Sequence, residues 1–397
     1  MAVTLKWACG FEVGQLNSEP SFGATAGSVA VESTNIRTGA KSLKLSPASG
    51  ATGYWTCSIA PGVATACVRF YVRVTALPAS ARLLFGDTTG SNVNILLNSD
   101  GSLTFRTGTT LLQTTDLIKL TDTNRWYCIE IHVDNATTTS YLSIDGQNPS
   151  SSTGAATVTW PTLRWGANDT VAATYTAYID DISIYTGWST QFDSHPGAVA
   201  LLVPTSNNAI GSWTRGGGTT TTNMQVPVST VPPPGVASAS ETDNTNIKSA
   251  ANSATDNCDL NMTTYAAAGV SGIVHGVMAF CRQGEDIATG TKTGALLIVS
   301  NPTQGSEDAF TYGGDAGAHG AEQGLWVTTQ GTVQNAPTVV LSTAPVLRVG
   351  KRTATTRVVC VDFMGIYVDY SPASSVIATP NSRGRFVDQA VIRAAHY

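Results

Sequence analysis

The segment from residue 126 to residue 146 constrains the fold of this chain more than any other part of the sequence. Residues 127–134 alternate apolar with polar side chains, which is the period-two pattern of a strand with one buried face. Residues 140–144 repeat the alternation and lead into Asp145-Gly146, a dipeptide typical of tight turns. The segment therefore predicts two antiparallel strands that share one dry face.

The composition agrees with a β-rich chain and excludes two classes of partner. Charged residues make up 12% of the 397 residues, whereas about 25% is usual. Thr and Val are frequent and favour strands, because branching at Cβ suits a pleated surface. The net charge of −5 comes without a basic cluster, so we expect no nucleic-acid partner. No apolar run reaches the roughly 20 residues of a membrane span, so we expect no membrane insertion.

Short strand-like runs separated by turn dipeptides extend over residues 1–187, with no helical periodicity between them. So many short strands exceed one sheet, and they predict an antiparallel sandwich of two stacked sheets. A second series of runs follows over residues 188–397, and the longest covers residues 357–370. The sequence therefore predicts an all-β protein with two antiparallel sandwich domains, 1–187 and 188–397.

A segment at about 215–245 interrupts the second series. It begins with Arg215 and a run of Gly and Thr, and it contains Val231 followed by Pro232, Pro233 and Pro234. Such a composition does not build a core, and consecutive prolines favour an extended conformation. A structureless loop of this length is uncommon inside a compact domain. We interpret it either as a surface loop or as an assembly arm that lies on a neighbouring subunit.

The first candidate for catalysis is the polar side of the 127–134 strand, which carries Glu130, His132 and Asp134. Retaining glycosidases need two carboxyl groups about 5–5.5 Å apart. Glu130 and Asp134 lie four residues apart on a strand, or about 13 Å from the rise per residue. The sequence contains no nucleotide-binding, zinc-protease or serine-hydrolase motif either. We expect no catalytic residues and a solvated outer strand face.

A second candidate is a structural calcium site. If the first and last strands of the sandwich are neighbours, Glu12 meets Asp180 or Asp181, and Ca²⁺ prefers carboxylate oxygens. The alternative is a strand end held by hydrogen bonds. We expect no cofactor, with calcium near Glu12 and Asp180 as the exception to test.

Aromatic side chains are the third candidate, because sugar rings stack on exposed aromatic faces. Trp160, Trp165 and Tyr175 are possible glycan contacts, and Trp55 is also available. The alternative for each ring is a place in the core, where most Trp surface lies in folded proteins.

The cysteines and the N-terminus bear on location. The seven Cys form no C-x-x-C pair, so they indicate either small core side chains or cross-chain disulfides in an extracellular assembly.

The segment from Met1 to Trp7 lacks the basic-then-apolar pattern of a signal peptide. We therefore expect the protein to stay where it is made or to leave inside an assembled particle.

Four segments in order resemble a known family: Gly10-Phe-Glu12 and residues 37–45, 126–146 and 178–185. Together they are similar to the laminin-G-like, concanavalin A-like jelly rolls found in virion proteins of tailed bacteriophages. The resemblance covers about residues 1–187, and the second half looks, more loosely, like the C-terminal unit of such proteins. It implies that Trp126 packs in the core, that Asp145-Gly146 turns the hairpin, and that no catalytic residue is transferred.

Three functions follow as expectations. The first is a non-enzymatic structural protein of the virion, such as a surface decoration, neck or tail component. It would assemble as a homo-oligomer with copies of itself and with other virion proteins. The second is a carbohydrate-binding protein of the same particle that recognises a host-surface glycan. The third is a polysaccharide hydrolase.

Overall fold

The computed structural model describes most of the chain. The described residues are 4–16, 19–20, 22–58, 65–87, 93–107, 110–115, 118–134, 139–153, 162–186, 197–215, 224–225, 247–250, 255–285, 292–312, 327–352 and 359–373. Val231 to Pro234 and Trp160 lie outside these residues. Within the described ranges, no helix has the length and apolar character that crossing a membrane requires.

The first half of the chain folds as a sandwich of antiparallel strands. The strands are β1 (Thr4–Cys9), β2 (Phe22–Gly27), β3 (Val29–Glu32), β4 (Ser42–Leu45), β5 (Gly53–Ser58), β6 (Thr65–Ala76), β7 (Arg82–Asp87), β8 (Asn94–Leu97), β9 (Leu103–Thr107), β10 (Thr110–Thr114), β11 (Tyr127–Asp134), β12 (Thr139–Ile144), β13 (Gln147–Thr153), β14 (Thr162–Ala167) and β15 (Thr176–Thr186).

These strands form two sheets that face each other. Sheet 1 has the order β13-β12-β11-β6-β15-β4-β3, and β1 also pairs with β15. Sheet 2 has the order β10-β9-β8-β7-β14-β5-β2. Because consecutive side chains of a strand alternate between faces, each sheet has one side toward the core and one outer side.

The core between the two sheets is built around three tryptophans. The ring of Trp7 from sheet 1 lies 6.1 Å from that of Trp55 and 6.4 Å from that of Trp165, both from sheet 2. Phe70 and Phe85 extend this cluster, with their ring centroids 5.4 Å apart. All five rings are fully buried, so the aromatic cluster holds the two sheets together.

The second half of the chain is also a sandwich of antiparallel strands. Its strands are β16 (Ala198–Leu202), β17 (Pro204–Ala209), β18 (Thr214–Arg215), β19 (Ile247–Lys248), β20 (Asp256–Met262), β21 (Ile273–Glu285), β22 (Lys292–Ser300), β23 (Asp308–Tyr312), β24 (Val327–Gln330), β25 (Gln334–Asn335), β26 (Val346–Lys351) and β27 (Val359–Ser371). Sheet 3 has the order β18-β19-β27-β21-β24, with β16 on β27 and β25 on β21. Sheet 4 has the order β17-β20-β26-β22-β23. The all-β fold with two antiparallel sandwiches is therefore confirmed.

The two sandwiches pack against each other through sheets 1 and 3. The contacts run between β1 and β21, β25 and β27, and between β15 and β16. Close approach requires glycine at Gly276, where an added Cβ would lie 2.5 Å from the Leu5 side chain. Phe280 and Tyr367 of sheet 3 stack at 5.0 Å and join the buried cluster of the first sandwich. The outer side of sheet 1 is therefore partly an internal surface.

Two details implied by the family resemblance differ in the structure. Trp126 lies just before β11 and is partly exposed, so it is not a core residue. Asp145 and Gly146 both have positive φ, 54° and 71°, as a two-residue hairpin turn requires. This turn joins β12 to β13, however, and not β11 to β12. The hairpin predicted from the sequence is thus the first part of a longer meander.

Candidate functional site

The polar side of β11 is buried, and the expectation of a solvated face is wrong. Glu130 is 1% exposed and His132 is 2% exposed. They pair with Arg69 and Cys67 of β6, which face the same side of sheet 1. His132 also stacks on Tyr141 of β12, with ring centroids 5.5 Å apart. The second sandwich packs on this side of sheet 1 beside them, where Asp369 binds Arg69, the residue opposite Glu130.

Asp369 of β27 is the centre of that contact. Its carboxylate accepts hydrogen bonds from Arg69 Nη2 at 2.5 Å, from Ser183 Oγ at 2.8 Å and from the Tyr185 hydroxyl. The Asp369 side chain is fully buried, and Arg69 is nearly so. A Cβ at Gly197 would lie 2.0 Å from Arg69 Cζ, so the backbone of the second sandwich closes over the guanidinium. These groups form a structural ion pair with no room for a ligand.

The carboxylates proposed for calcium lie near this contact, but protein groups already bind them. Asp180 Oδ2 accepts the backbone N–H of Arg37 at 2.9 Å. Asp181 accepts from Arg37 Nη1 at 2.5 Å and from the backbone N–H of Val199 at 2.6 Å. Glu12 accepts the backbone N–H of Ala40 at 2.9 Å. No cluster of three or more metal-ligating side chains occurs among the described residues. The arrangement matches the alternative of a hydrogen-bonded strand end.

Two acidic side chains between the sandwiches have altered acidity. Burial raises the pKa of Glu12 to about 7, although the backbone hydrogen bonds from Ala40 and Lys41 lower it. Burial also raises the pKa of Glu19 to about 8, although Tyr367 donates a hydrogen bond of 2.6 Å to Glu19 Oε2. Glu19 Oε1 is buried without a partner. Both carboxyl groups therefore favour the protonated form more than exposed glutamates do.

The seven cysteines are all free and buried. Burial raises the thiol pKa of six of them: Cys9, Cys57, Cys67, Cys128, Cys258 and Cys281. They act as small core side chains, in agreement with the first of the two interpretations of their spacing.

The proposed aromatic contacts are not surface groups. Trp165 is 0% exposed and lies in the aromatic cluster of the core. Tyr175 is 2% exposed, and its hydroxyl donates a hydrogen bond of 3.0 Å to the Leu83 carbonyl. A buried ring offers no face to a sugar, so the exposure that this hypothesis requires is lacking at both residues. The packing alternative applies to them.

Two described residues of the segment predicted as an arm belong to the second sandwich. Arg215 lies in β18 and pairs with Ile247 of β19. Met224 is fully buried in the core of the second sandwich, and its backbone N–H donates a hydrogen bond of 2.8 Å to Asn207 Oδ1. The arm itself stays a prediction, since Val231 to Pro234 lie outside the described residues.

The outer side of sheet 2 is the other broad face of the first sandwich; among the described strands, the main contacts of the second sandwich are with sheet 1. Strand register places one residue from each of six strands in a lateral row across it. In order across the sheet, the row is Thr56, Arg164, Gly86, Asn94, Arg106 and Leu111. Tyr54 stands two residues before Thr56 on the same side. We call these seven residues the polar face.

Two glycines allow close packing at the centre of the polar face. Gly86 lies between Arg164 and Asn94, and an added Cβ there would meet Asn94 Oδ1 at 2.5 Å. Gly166 lies opposite Tyr54, and its φ of 107° favours glycine. Neighbouring protein atoms fill the space above both glycines.

Arg164 is the most constrained side chain of the polar face. It is 3% exposed, its Cζ lies 5.3 Å from the centre of the Tyr54 ring, and its Nη2 donates a hydrogen bond of 2.9 Å to the Asp87 carbonyl. Its Nε is buried without a partner, as is the Nε of Arg106. Burial lowers the pKa of Arg164, although Tyr54 and Asp87 oppose the shift.

The polar face carries groups of the kinds that sugar recognition uses. Tyrosine rings stack on pyranoses, and guanidinium and amide groups bind hydroxyls. Tyr54 and Arg106 are half-buried, whereas Arg164 and Asn94 are buried. Sequence reasoning missed it because its members come from six separate strands. One signal was available, the motif Leu163-Arg164-Trp165, in which a cation interrupts an otherwise apolar strand.

Comparison with known families supports the assignment of the first sandwich. The family model Laminin_G_3, described as the concanavalin A-like lectin/glucanases superfamily, matches residues 49–193. The first sandwich contains a concanavalin A-like domain. This domain provides most of both sheets and all of the polar face. None of the curated proteins matches the chain.

Several solved structures show a distant likeness. The binding domain of Paraclostridial Mosquitocidal Protein 1 is 14% identical with a TM-score of 0.38, and the match covers 54% of this chain and 58% of that one. Domain 4 of AbnA, a GH43 extracellular arabinanase from Geobacillus stearothermophilus in complex with arabinotriose, is 18% identical with a TM-score of 0.37, covering 48% and 96%. Identities and scores this low say nothing about function.

Proposed function

We propose that this chain is a non-catalytic carbohydrate-binding protein and that the polar face of its concanavalin A-like domain is the binding surface. The observation that carries the proposal is the composition of this face. The half-buried Tyr54 and Arg106 lie on the outer side of sheet 2, beside the buried Arg164 and Asn94. The match to a superfamily that includes lectins supports the same function.

The distribution of acidic residues supports a binding role without catalysis. Asp87 is the one acidic residue in the seven strands of sheet 2. It pairs with Leu163, whose side chain is in the core, so the register places Asp87 on the inner side. Glycoside hydrolysis generally uses two carboxyl groups on either side of the scissile bond. The strands of this sheet do not supply such a pair.

Glycan-array screening of the full chain, followed by calorimetry on the strongest ligand, tests the proposal. We expect Tyr54→Ala to weaken binding about tenfold, which corresponds to losing about 1.4 kcal/mol of binding free energy from ring stacking. Tyr141→Ala is a matched control, because it removes a half-buried tyrosine from sheet 1 of the same sandwich. Failure of the folded protein to bind any glycan would overturn the proposal. Release of reducing sugar from a bound glycan would overturn its non-catalytic part.

A second candidate is a structural component of a tailed-phage virion, on its surface or tail. The resemblance of residues 1–187 favours it, and so does the buried Arg69–Asp369 pair, which ties the two sandwiches into one body. In this role the chain would assemble with copies of itself and with other virion proteins. The two candidates are compatible, because a virion protein can also bind a host glycan.

The segment after Met224 provides the test of assembly. A deletion of residues 226–240 keeps β18, the buried Met224 and every other described core residue of the second sandwich. We expect the full chain to form a homo-oligomer by light scattering and the deletion variant to be monomeric. A monomeric full chain, or a deletion variant that assembles normally, contradicts the assembly role.

A further inference from the structure

A groove lies on the second sandwich, between the loop after β22 and the segment after β24. One wall is residues 302–306, which connect β22 to β23, and the other is residues 332–338, which include β25. The groove has a volume of about 530 Å³, within the range of about 300–1,000 Å³ that ligand sites occupy. We call it the loop groove. Its walls come from sheet 4 and sheet 3, so it bridges the two sheets.

Both walls of the loop groove are open to solvent. Thr303, Gln304 and Ser306 are exposed on the first wall, and Thr332 and Thr338 are exposed on the second. Their hydroxyl and amide groups can both donate and accept hydrogen bonds. A ligand can therefore reach the polar groups that line this groove.

The Gln334 side chain joins the two walls across the floor of the groove. In the amide orientation that satisfies both partners, it donates a hydrogen bond of 3.2 Å to the Thr303 carbonyl and accepts one of 3.2 Å from the Gly305 N–H. The same N–H donates to the Ile298 carbonyl at 3.0 Å. Glycine is required at this point, because a Cβ on Gly305 would lie 2.2 Å from the Gln334 amide. The floor therefore depends on contacts within the protein.

The roots of both walls are also fixed by side chains. Asn301 precedes the first wall, and its Nδ2 donates a hydrogen bond of 2.9 Å to the Val340 carbonyl, just beyond the second wall. Asn301 Oδ1 accepts the Val340 N–H at 2.8 Å. Thr332 begins the second wall, and its N–H donates a hydrogen bond of 2.5 Å to Asp308 Oδ2. A groove held in shape without a ligand loses little conformational freedom when it binds one.

The chemistry of the lining selects the class of ligand. None of the described residues that line the loop groove is charged or aromatic, and hydroxyl and amide side chains predominate. The nearby acids have partners of their own, since Glu307 binds Arg352 at 2.6 Å and Asp308 binds Thr332. An anionic ligand would meet no cation in the lining, and a peptide would find no deep apolar pockets for its side chains. Hydroxyl groups of a neutral ligand match the lining.

We propose that the loop groove is a second binding site of this protein and that it takes a neutral oligosaccharide. The ligand class follows from the chemistry of the groove itself, so the inference goes beyond the site proposed on the polar face. Hydrogen bonds exchanged with water contribute little net free energy each. Without an aromatic ring to stack on the sugar, we expect weak binding, with a Kd on the order of 1 mM.

Saturation-transfer difference NMR on the full chain suits such weak binding. The neutral probes are maltotriose, cellotriose and xylotriose. Trigalacturonate tests an acidic sugar, and N-acetyl-triglycine amide tests a neutral peptide. We expect saturation transfer to at least one neutral trisaccharide and weaker transfer to the acid and to the peptide.

Variants assign the signal to the loop groove. Ser306→Leu places a larger apolar side chain on an exposed wall and should weaken binding about tenfold. Thr338→Val keeps the shape of the side chain, removes one hydroxyl from the other wall and should weaken binding about fivefold. Ser33→Leu is the matched control, because it makes the same change at an exposed serine of the first sandwich. Tyr54→Ala separates this site from the polar face.

The outcomes distinguish the two sites. Loss of binding in Ser306→Leu but not in Ser33→Leu supports the inference. A signal that depends on Tyr54 and not on Ser306 overturns the inference and supports the polar face. Stronger binding of the peptide or the acid than of every neutral sugar overturns it as well. No transfer to any neutral trisaccharide also overturns the inference, and the glycan array then decides the proposed function separately.

Discussion

The buried pair between Arg69 and Asp369 provides the sharpest test of how the two sandwiches are joined. Asp369→Asn keeps the shape of the side chain and removes its charge. Arg69 then remains nearly buried without a counter-ion, beneath the backbone at Gly197. We expect this single change to destabilise the protein, and we expect Arg69→Met to do the same by leaving the carboxylate unpaired.

The structure sets the size of the effect. Asp369 accepts hydrogen bonds from Arg69, Ser183 and Tyr185, and all three donors belong to the first sandwich. Breaking a buried pair by removing one partner lowers the free energy of unfolding by about 3–5 kcal/mol. Replacing both charges, in Arg69→Met with Asp369→Asn, leaves no uncompensated charge. The double variant should therefore be more stable than the sum of the two single losses predicts.

Urea denaturation of the four proteins, followed by tryptophan fluorescence, measures these free energies. Lys119→Met is the matched control, since Lys119 and Asp100 also approach to 2.5 Å but are both exposed. We expect no measurable change there, because water and salt screen a surface pair. Single losses below about 1 kcal/mol at Arg69 and Asp369, or strictly additive losses in the double variant, would refute the reasoning.

Three further predictions concern the core, the interface and the thiols. Trp165→Ala should lower the free energy of unfolding by about 3–5 kcal/mol, measured by denaturation, because it leaves a cavity beside Trp7 and Trp55; a loss under about 1 kcal/mol would contradict the central place of this ring. The pKa values of Glu12 and Glu19 are raised to about 7 and about 8, so stability present below about pH 4.3, the unfolded value, should fall as pH rises toward 8. Glu19→Gln should reduce the dependence of the free energy of unfolding on pH. An unchanged pH dependence in this variant would contradict the raised pKa of Glu19. Ellman's reagent should label essentially none of the seven buried thiols in the native protein and all seven in denaturant, with no effect of reductant on molecular size.

Much of the fold was predictable because apolar alternation marks the inner strands. The pattern over residues 126–134 predicts a strand, and β11 covers Tyr127–Asp134. The pattern failed for β2 and β13, whose sequences FGATAG and QNPSSST are small or polar and show no alternation. The sequence pattern also predicted one strand over residues 338–349, whereas β26 begins only at Val346. Asn301 explains part of this difference, since its side chain binds the backbone of Val340 and favours a turn.

The candidate site was much less predictable, because its geometry depends on register. Arg164 and Arg106 lie on strands that are far apart in sequence, and only the order β14-β7-β8-β9 places them on one row. The same limit applies to Glu130, which the sequence places correctly on the outer side of its strand. Its neighbour across the sheet, Arg69, is paired with Asp369 of β27, more than 200 residues later in the chain than Glu130.

The alternation of a strand makes both outer faces of a sandwich polar, so polarity alone does not tell which face meets a partner. The pairing of buried charges does distinguish the two outer faces of this sandwich. On sheet 1 the chain supplies its own counter-charge, because Arg69 meets Asp369 across 300 residues of sequence and the face is closed. On sheet 2 the described chain supplies no such acid to Arg164 or Arg106. Among the described residues, the ion pair at Arg69 therefore distinguishes the closed face of sheet 1 from the outer side of sheet 2.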